Sequence, residues 1–279
     1  MTRSLRRPGL RAVVAGSLAL AALTSGSLAA RQVLRFQAAL ARKTIGKDLG
    51  EEAHRADRTY KSKYGDRIEL LVLGDSIAAG LGAETPRQTL GAHLAKRLAK
   101  QTRRAVRLHT AAIVGAETSM LRAQLAGLPT GYRPDVAVIV GGNDVTHRIR
   151  FSTSVAHLVE AVEALQAGGC QVVVGTCPDL SALPSVPQPL RALAGRSSRQ
   201  LAEAQRAAVT GLGARAVALA QVAGPFFLAQ PDEMFAIDRF HPSGAGYRRT
   251  AKALLPSVLM AAGHGTTLPS GHFGPTAVG

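Results

Sequence analysis

Five short, mostly apolar runs, each separated from the next by a helical or turn-rich stretch, constrain this sequence more than any other feature. They are Leu70–Leu73, Val106–Ala112, Val136–Val140, Val172–Val174 and Ala214–Ala218. Each is short for a helix, and most are apolar at consecutive rather than alternate positions, so both faces must be covered. Helical patterns cover Thr118–Leu125, Ser152–Gln166, Pro189–Val209 and Ser243–Ala262, the last with Pro256 inside it. Another starts at Thr85-Pro86, where a capping threonine precedes a proline in the first helical position. Strands alternating with helices predict an α/β fold built on a five-stranded parallel sheet with helices on both sides.

This pattern occupies residues 68–262. Upstream, Arg3, Arg6, Arg7 and Arg11 precede an uncharged run from Ala12 to Ala30. As a helix that run is about 28 Å long, close to the thickness of a bilayer core. Residues 1–30 therefore read as a signal peptide or a signal anchor. Membrane association through residues 12–30 and export to the cell envelope are expected, with cleavage near Ala29 as the alternative. Positive charge on both flanks leaves the orientation open. Residues 31–67 read as a charged connector in which Leu34, Ala38, Ala41, Ile45 and Leu49 recur at helical spacing. They fit either a membrane-proximal helix or the first packed helix of the domain. Residues 263–279, rich in Gly, Pro and Thr, read as a disordered tail.

The net charge of +16 invites an acidic partner. Nucleic acid is not expected, because aromatics make up only 4% of the chain and stacking platforms need them. The basic stretch Lys96–Arg107 reads as a solvated helix face. Cys170 and Cys177 bracket the fourth run, and a strand between them holds them about 23 Å apart. That is too far for a disulfide.

Three segments carry candidate chemistry. Gly74-Asp75-Ser76 directly follows the first run, and open parallel sheets gather their sites beyond the carboxyl ends of strands. Asp238-Arg239-Phe240-His241-Pro242 precedes the last helix. There His241 can accept a serine proton, and Asp238 can turn back to orient the imidazole. Gly141-Gly142-Asn143-Asp144 ends the third run, and the Asn143 amide can donate to a developing oxyanion. Gly115, after the second run, can add an unobstructed backbone N–H. Each segment alone also fits an ordinary turn or helix cap. His147 can line the cleft or be a plain loop histidine. No further His or Cys stands at metal-ligand spacing.

Together, in this order, these residues resemble the SGNH, or GDSL, hydrolases. Ser76 matches the first block of that family, Gly115 the second, Asn143 the third, and Asp238 with His241 the last. The resemblance spans about residues 69–262. It implies a three-layer α/β/α sandwich and cofactor-free ester hydrolysis by the triad Ser76, His241 and Asp238. The oxyanion hole it implies comprises the N–H groups of Ser76 and Gly115 and the Asn143 amide. The expected partner is an ester substrate: a lipid, an acylated small molecule or a glycan. Acyl transfer, or O-acetyl removal from polysaccharide, would use the same triad, and a catalytically inactive binding module is the contrasting alternative. The Gly-x-Ser-x-Gly elbow of other esterases is absent, since Ala78 stands where it needs glycine.

Overall fold

The computed structural model describes residues 10–45, 49–50, 52–265 and 267–275, with side chains from Leu28 onward. Its strands are β1 (Thr59–Tyr60), β2 (Arg67–Gly74), β3 (Ala105–Thr110), β4 (Val136–Val140), β5 (Gln171–Gly175), β6 (Arg215–Val217) and β7 (His272–Phe273). The helices begin with α1 (Leu10–Ile45), α2 (Ser76–Ala79), α3 (Leu90–Thr102), α4 (Leu121–Ala126), α5 (Asn143–Thr146) and α6 (Phe151–Ala167). They continue with α7 (Leu190–Gly211), α8 (Leu219–Val222), α9 (Gly224–Ala229), α10 (Pro231–Met234) and α11 (Gly244–Ala261).

The sheet runs in the order β1-β3-β2-β4-β5-β6-β7. The five inner strands are parallel and correspond to the five apolar runs. The sheet is nevertheless seven-stranded, not five-stranded, because β1 and β7 add antiparallel pairs at its two edges. Each edge strand is two residues long, too short to show a period in the sequence.

Alternation along β2 explains the layers. Ile68, Leu70 and Val72 enter a core shared with Leu94 and Leu98 of α3 and Tyr247, Leu254 and Val258 of α11. Leu71 and Leu73 point the other way, into a core with Leu121 of α4, Leu158 and Val162 of α6 and Val209 of α7. Covering both faces of one strand produces the three-layer α/β/α arrangement expected.

Three details differ from the sequence reading. Thr85-Pro86 opens only the 3-10 turn Pro86–Gln88. The helix itself starts at Leu90, behind Thr89, whose hydroxyl accepts from the Ala92 N–H at 3.3 Å. The tail is ordered where it forms β7: His272 pairs with Val217 and its Nδ1 lies 2.8 Å from the Ser257 hydroxyl of α11. The guanidinium of Arg206 lies over the Phe273 ring. Residues 276–279 of the tail lie outside the described residues.

The third difference lies at the N-terminus. Residues 31–45 of the connector continue the same helix as residues 10–30. No helix among the described residues is long and apolar enough to cross a membrane. Membrane association through residues 12–30 is therefore unsupported: length suffices, but Ala, Gly and Ser dilute the apolar character a span needs. The C-terminal half of α1 packs on the domain instead. Ala41 is buried with Leu180, Leu183 and Val186. The Gln37 side chain donates to the Gln188 carbonyl and accepts from the Leu190 N–H at 3.1 Å. Leu34, Ala38, Ala41 and Ile45 form the inward face.

Register places the loops that matter. Gly74 pairs with Val140, so the chain leaves β2 and β4 at the same level. Gly74 has φ +129°, and a Cβ there would sit 1.9 Å from the Val140 carbonyl oxygen. Gly74→Ala should therefore cost about 3–5 kcal/mol of stability. The check is the denaturation midpoint at unchanged m; a loss below about 1 kcal/mol would mean the sheet can open at this point.

Candidate active site

The loop after β2 enters α2 with Asp75 as its cap and Ser76 as its first residue. The first N–H groups of a helix have no acceptor within it, so the Ser76 N–H is available to an outside oxygen. The Asp75 carboxylate is buried and takes three backbone donors. Its Oδ1 accepts from Ile77 at 2.9 Å, and its Oδ2 accepts from Gly142 at 2.7 Å and Asn143 at 3.2 Å. Burial pushes this carboxyl above the usual range, while the three N–H groups and His241 pull it back. One side chain thus fixes the Ser76 loop against the loop after β4. Gln124 secures the preceding peptide: it accepts from the Gly74 N–H at 2.9 Å and donates to the Gly74 carbonyl at 2.8 Å.

The loop after β3 joins the same assembly. Gly115 adopts φ +80°, and its N–H has no backbone partner among the described residues. Buried Asp144 accepts from the Thr118 N–H at 3.2 Å and from the Thr118 hydroxyl. The Asn143 amide donates to the Ala116 carbonyl at 3.1 Å. An amide has two N–H bonds, so one remains to serve another acceptor. Ser76, Gly115 and Asn143 line one cleft.

His241 reaches that cleft from the turn before α11. Its Nε2 lies 3.1 Å from the Ser76 hydroxyl, and its Nδ1 lies 2.5 Å from Asp238 Oδ2. The Asp238 side chain is 2% exposed and that of His241 is 12% exposed, so the pair works largely out of water. The turn shapes itself: Asp238 Oδ1 accepts from the N–H groups of Phe240 and His241, both at 3.0 Å. Arg239 takes φ +55° between them. Ser243 caps α11 by accepting from Gly246 at 3.1 Å. The Phe240 ring stands edge-on to the imidazole at 5.0 Å.

All five residues singled out by spacing, Ser76, Gly115, Asn143, Asp238 and His241, therefore converge. His147 lines the outer cleft and its Nδ1 lies 2.8 Å from Glu117, at the rim rather than beside Ser76. The sequence reading missed Asp75, Asp144 and Gln124. The Gly-Asp-Ser triplet offered one signal, a capping residue directly before a candidate nucleophile. Cys177 also lies near the loops, but burial pushes its thiol far up, so it stays protonated. Cys170 is likewise buried and pushed up to about 12. Among the described residues no group of three or more His, Cys, Asp or Glu could hold a metal.

Two cavities meet at Ser76. The inner one, about 70 Å³, is walled by Ile77, Leu180, Leu219, Phe227, Phe235 and Phe240. The outer one, about 1050 Å³, is open and has the C-terminal half of α1 as a wall.

Ser76, His241 and Asp238 thus form one chain of contacts on loops at the carboxyl edge of a mostly parallel sheet. Residues 72–249 match the model of the GDSL-like Lipase/Acylhydrolase family, and the chain belongs to that family. A GDSL-like esterase of Mycobacterium tuberculosis is 39% identical over 261 residues, covering 89% of this chain and 82% of that protein. Among solved structures, an acetyl xylan esterase from Geobacillus stearothermophilus superposes with TM-score 0.54 at 21% identity, covering 70% of this chain and 95% of the other. A lipase/acylhydrolase from Enterococcus faecalis gives 0.53 at 21% identity, covering 67% and 93%. These two likenesses establish the fold.

Asp75→Ala would leave three backbone donors without their acceptor. The variant should lose about 3 kcal/mol, and the amides of Gly142 and Asn143 should exchange faster with solvent. Unchanged exchange at both amides would show that Asp75 does not hold the two loops together.

Proposed function

We propose that this protein is a serine carboxylic ester hydrolase that works through an acyl-enzyme intermediate. The observation that carries the reading is the continuous Asp238–His241–Ser76 chain, at 2.5 Å and 3.1 Å, opening into a cleft. His241 takes the Ser76 hydroxyl proton on Nε2 as Oγ attacks the ester carbonyl. Asp238 holds the Nδ1–H tautomer and stabilises the imidazolium. Negative charge grows on the carbonyl oxygen, where the N–H groups of Ser76 and Gly115 and the free N–H of Asn143 would receive it. When the tetrahedral adduct collapses, the C–O bond to the alcohol breaks and His241 returns the proton to the departing oxygen. Water then attacks the acyl-Ser76 ester, giving its proton to His241. The acid leaves and the proton returns to Ser76.

The two cavities divide the substrate. Dry cavities of about 150 Å³ accept a benzene ring. The inner cavity has about half that volume, room for an acyl chain of a few carbons. The family relationship and the 39% identical esterase support ester chemistry.

Two outcomes follow. A fluorophosphonate probe should label the wild-type protein at Ser76, and Ser76→Ala should abolish the labelling; label retained elsewhere at wild-type level would remove Ser76 from its role. Among aryl esters, acetate and butyrate should turn over at least about 10²-fold faster than laurate, because each carbon beyond the inner cavity loses its apolar surroundings. Steady-state kcat/KM across chain lengths measures this, and faster hydrolysis of laurate would assign the acyl chain to the outer cavity.

A further inference from the structure

The outer cavity has a charge as well as a size. Its α1 wall carries Arg31, Arg35 and Arg42, and Arg148 comes from the segment after α5. All four arginines are exposed. Among the described residues lining the cavity there is no aspartate or glutamate. A cleft lined by charge of one sign concentrates ligands of the other sign. Guanidinium groups pair with the planar or tetrahedral oxyanions of carboxylate, sulfate and phosphate. The matched family segment begins at residue 72, so the α1 arginines lie outside it. Nearly the whole of each structural neighbour is covered by about 70% of this chain, which leaves a substantial part of this protein without a counterpart there.

We propose that the outer cavity receives the alcohol half of the ester, and that this alcohol is anionic. Arg31, Arg35, Arg42 and Arg148 act as its counter-charges while the short acyl group occupies the inner cavity. This rests on the Ser76 hydrolase reading and adds the substrate class to it. Ala41 and the Gln37 hydrogen bonds hold α1 against the domain, and Leu34, Ala38 and Ile45 line the cavity beside them. The arginines border these residues and line the same cavity as Ser76. Catalysis needs no charge there, so the arginines act on KM and on encounter rather than on bond making.

The experiment uses the full-length protein and matched acetate esters: acetylated galacturonate oligosaccharide against acetylated xylo-oligosaccharide, and acetylglycerol phosphate against acetylglycerol. The first pair carries its charge as carboxylate on a glycan, the second as phosphate on a small alcohol. At low salt at least one anionic ester should exceed its neutral partner in kcat/KM by about tenfold, through KM, and the gap should narrow as salt screens the charges. Arg35→Glu combined with Arg42→Glu should lower the anionic-to-neutral ratio about tenfold. Lys100→Glu, on the exposed surface of α3, changes the net charge outside the cleft and should leave the ratio at its wild-type value. A ratio near one for both pairs, a ratio unmoved by the double substitution, or an equal fall with Lys100→Glu would overturn the proposal. Failure to hydrolyse any ester, aryl acetate included, would instead remove the hydrolase reading beneath it.

Discussion

The loops that follow β2 and β4 depend on one buried carboxylate. Asp75 stands between the ends of β2 and β4 and takes N–H bonds from both following loops. Burial disfavours the charged form of this carboxyl, so it needs its hydrogen-bond partners complete. That demand runs both ways. The carboxylate needs three N–H groups, and by needing them it holds Ser76 and Asn143 in one relation. Asp144 and the Asn143 amide extend the constraint to the Gly115 loop. The Asp238–His241 turn, by contrast, is self-contained and reaches the others only through the Ser76 hydroxyl.

The sheet supplies the level at which these loops emerge, and the helices supply the closure. Because Gly74 and Val140 are in register, the two loops start side by side. The near approach of their backbones is possible only without a side chain at position 74. The placement of Ser76 therefore begins with backbone geometry set by strand pairing. The histidine is then brought in by the capped start of α11, whose own burial against α3, β5 and β6 fixes where that start lies.

What the sequence made legible follows the same division. The five inner strands were readable because both faces are buried, which leaves unbroken apolar runs such as Val136–Val140. Ser76, Gly115, Asn143, Asp238 and His241 were readable because each lies at a chain boundary where such groups act. Asp144 and Gln124 were not, since each matters only through a partner tens of residues away. The edge strands β1 and β7 were too short to carry a pattern. The helical spacing from Leu34 to Ile45 was visible, but what that face packs against depends on the loop from Leu180 to Val186, and no local period records it. The uncharged run before it met the length of a bilayer without its hydropathy.

The position of α1 makes it separable from the rest of the site. It touches the domain mainly at the loop from Leu180 to Val186 and at the start of α7, away from the sheet. A change in its outward residues leaves the proton relay and the sheet register untouched. Exchange of this helix would therefore alter the wall of the outer cavity while leaving the Asp238–His241–Ser76 chain in place.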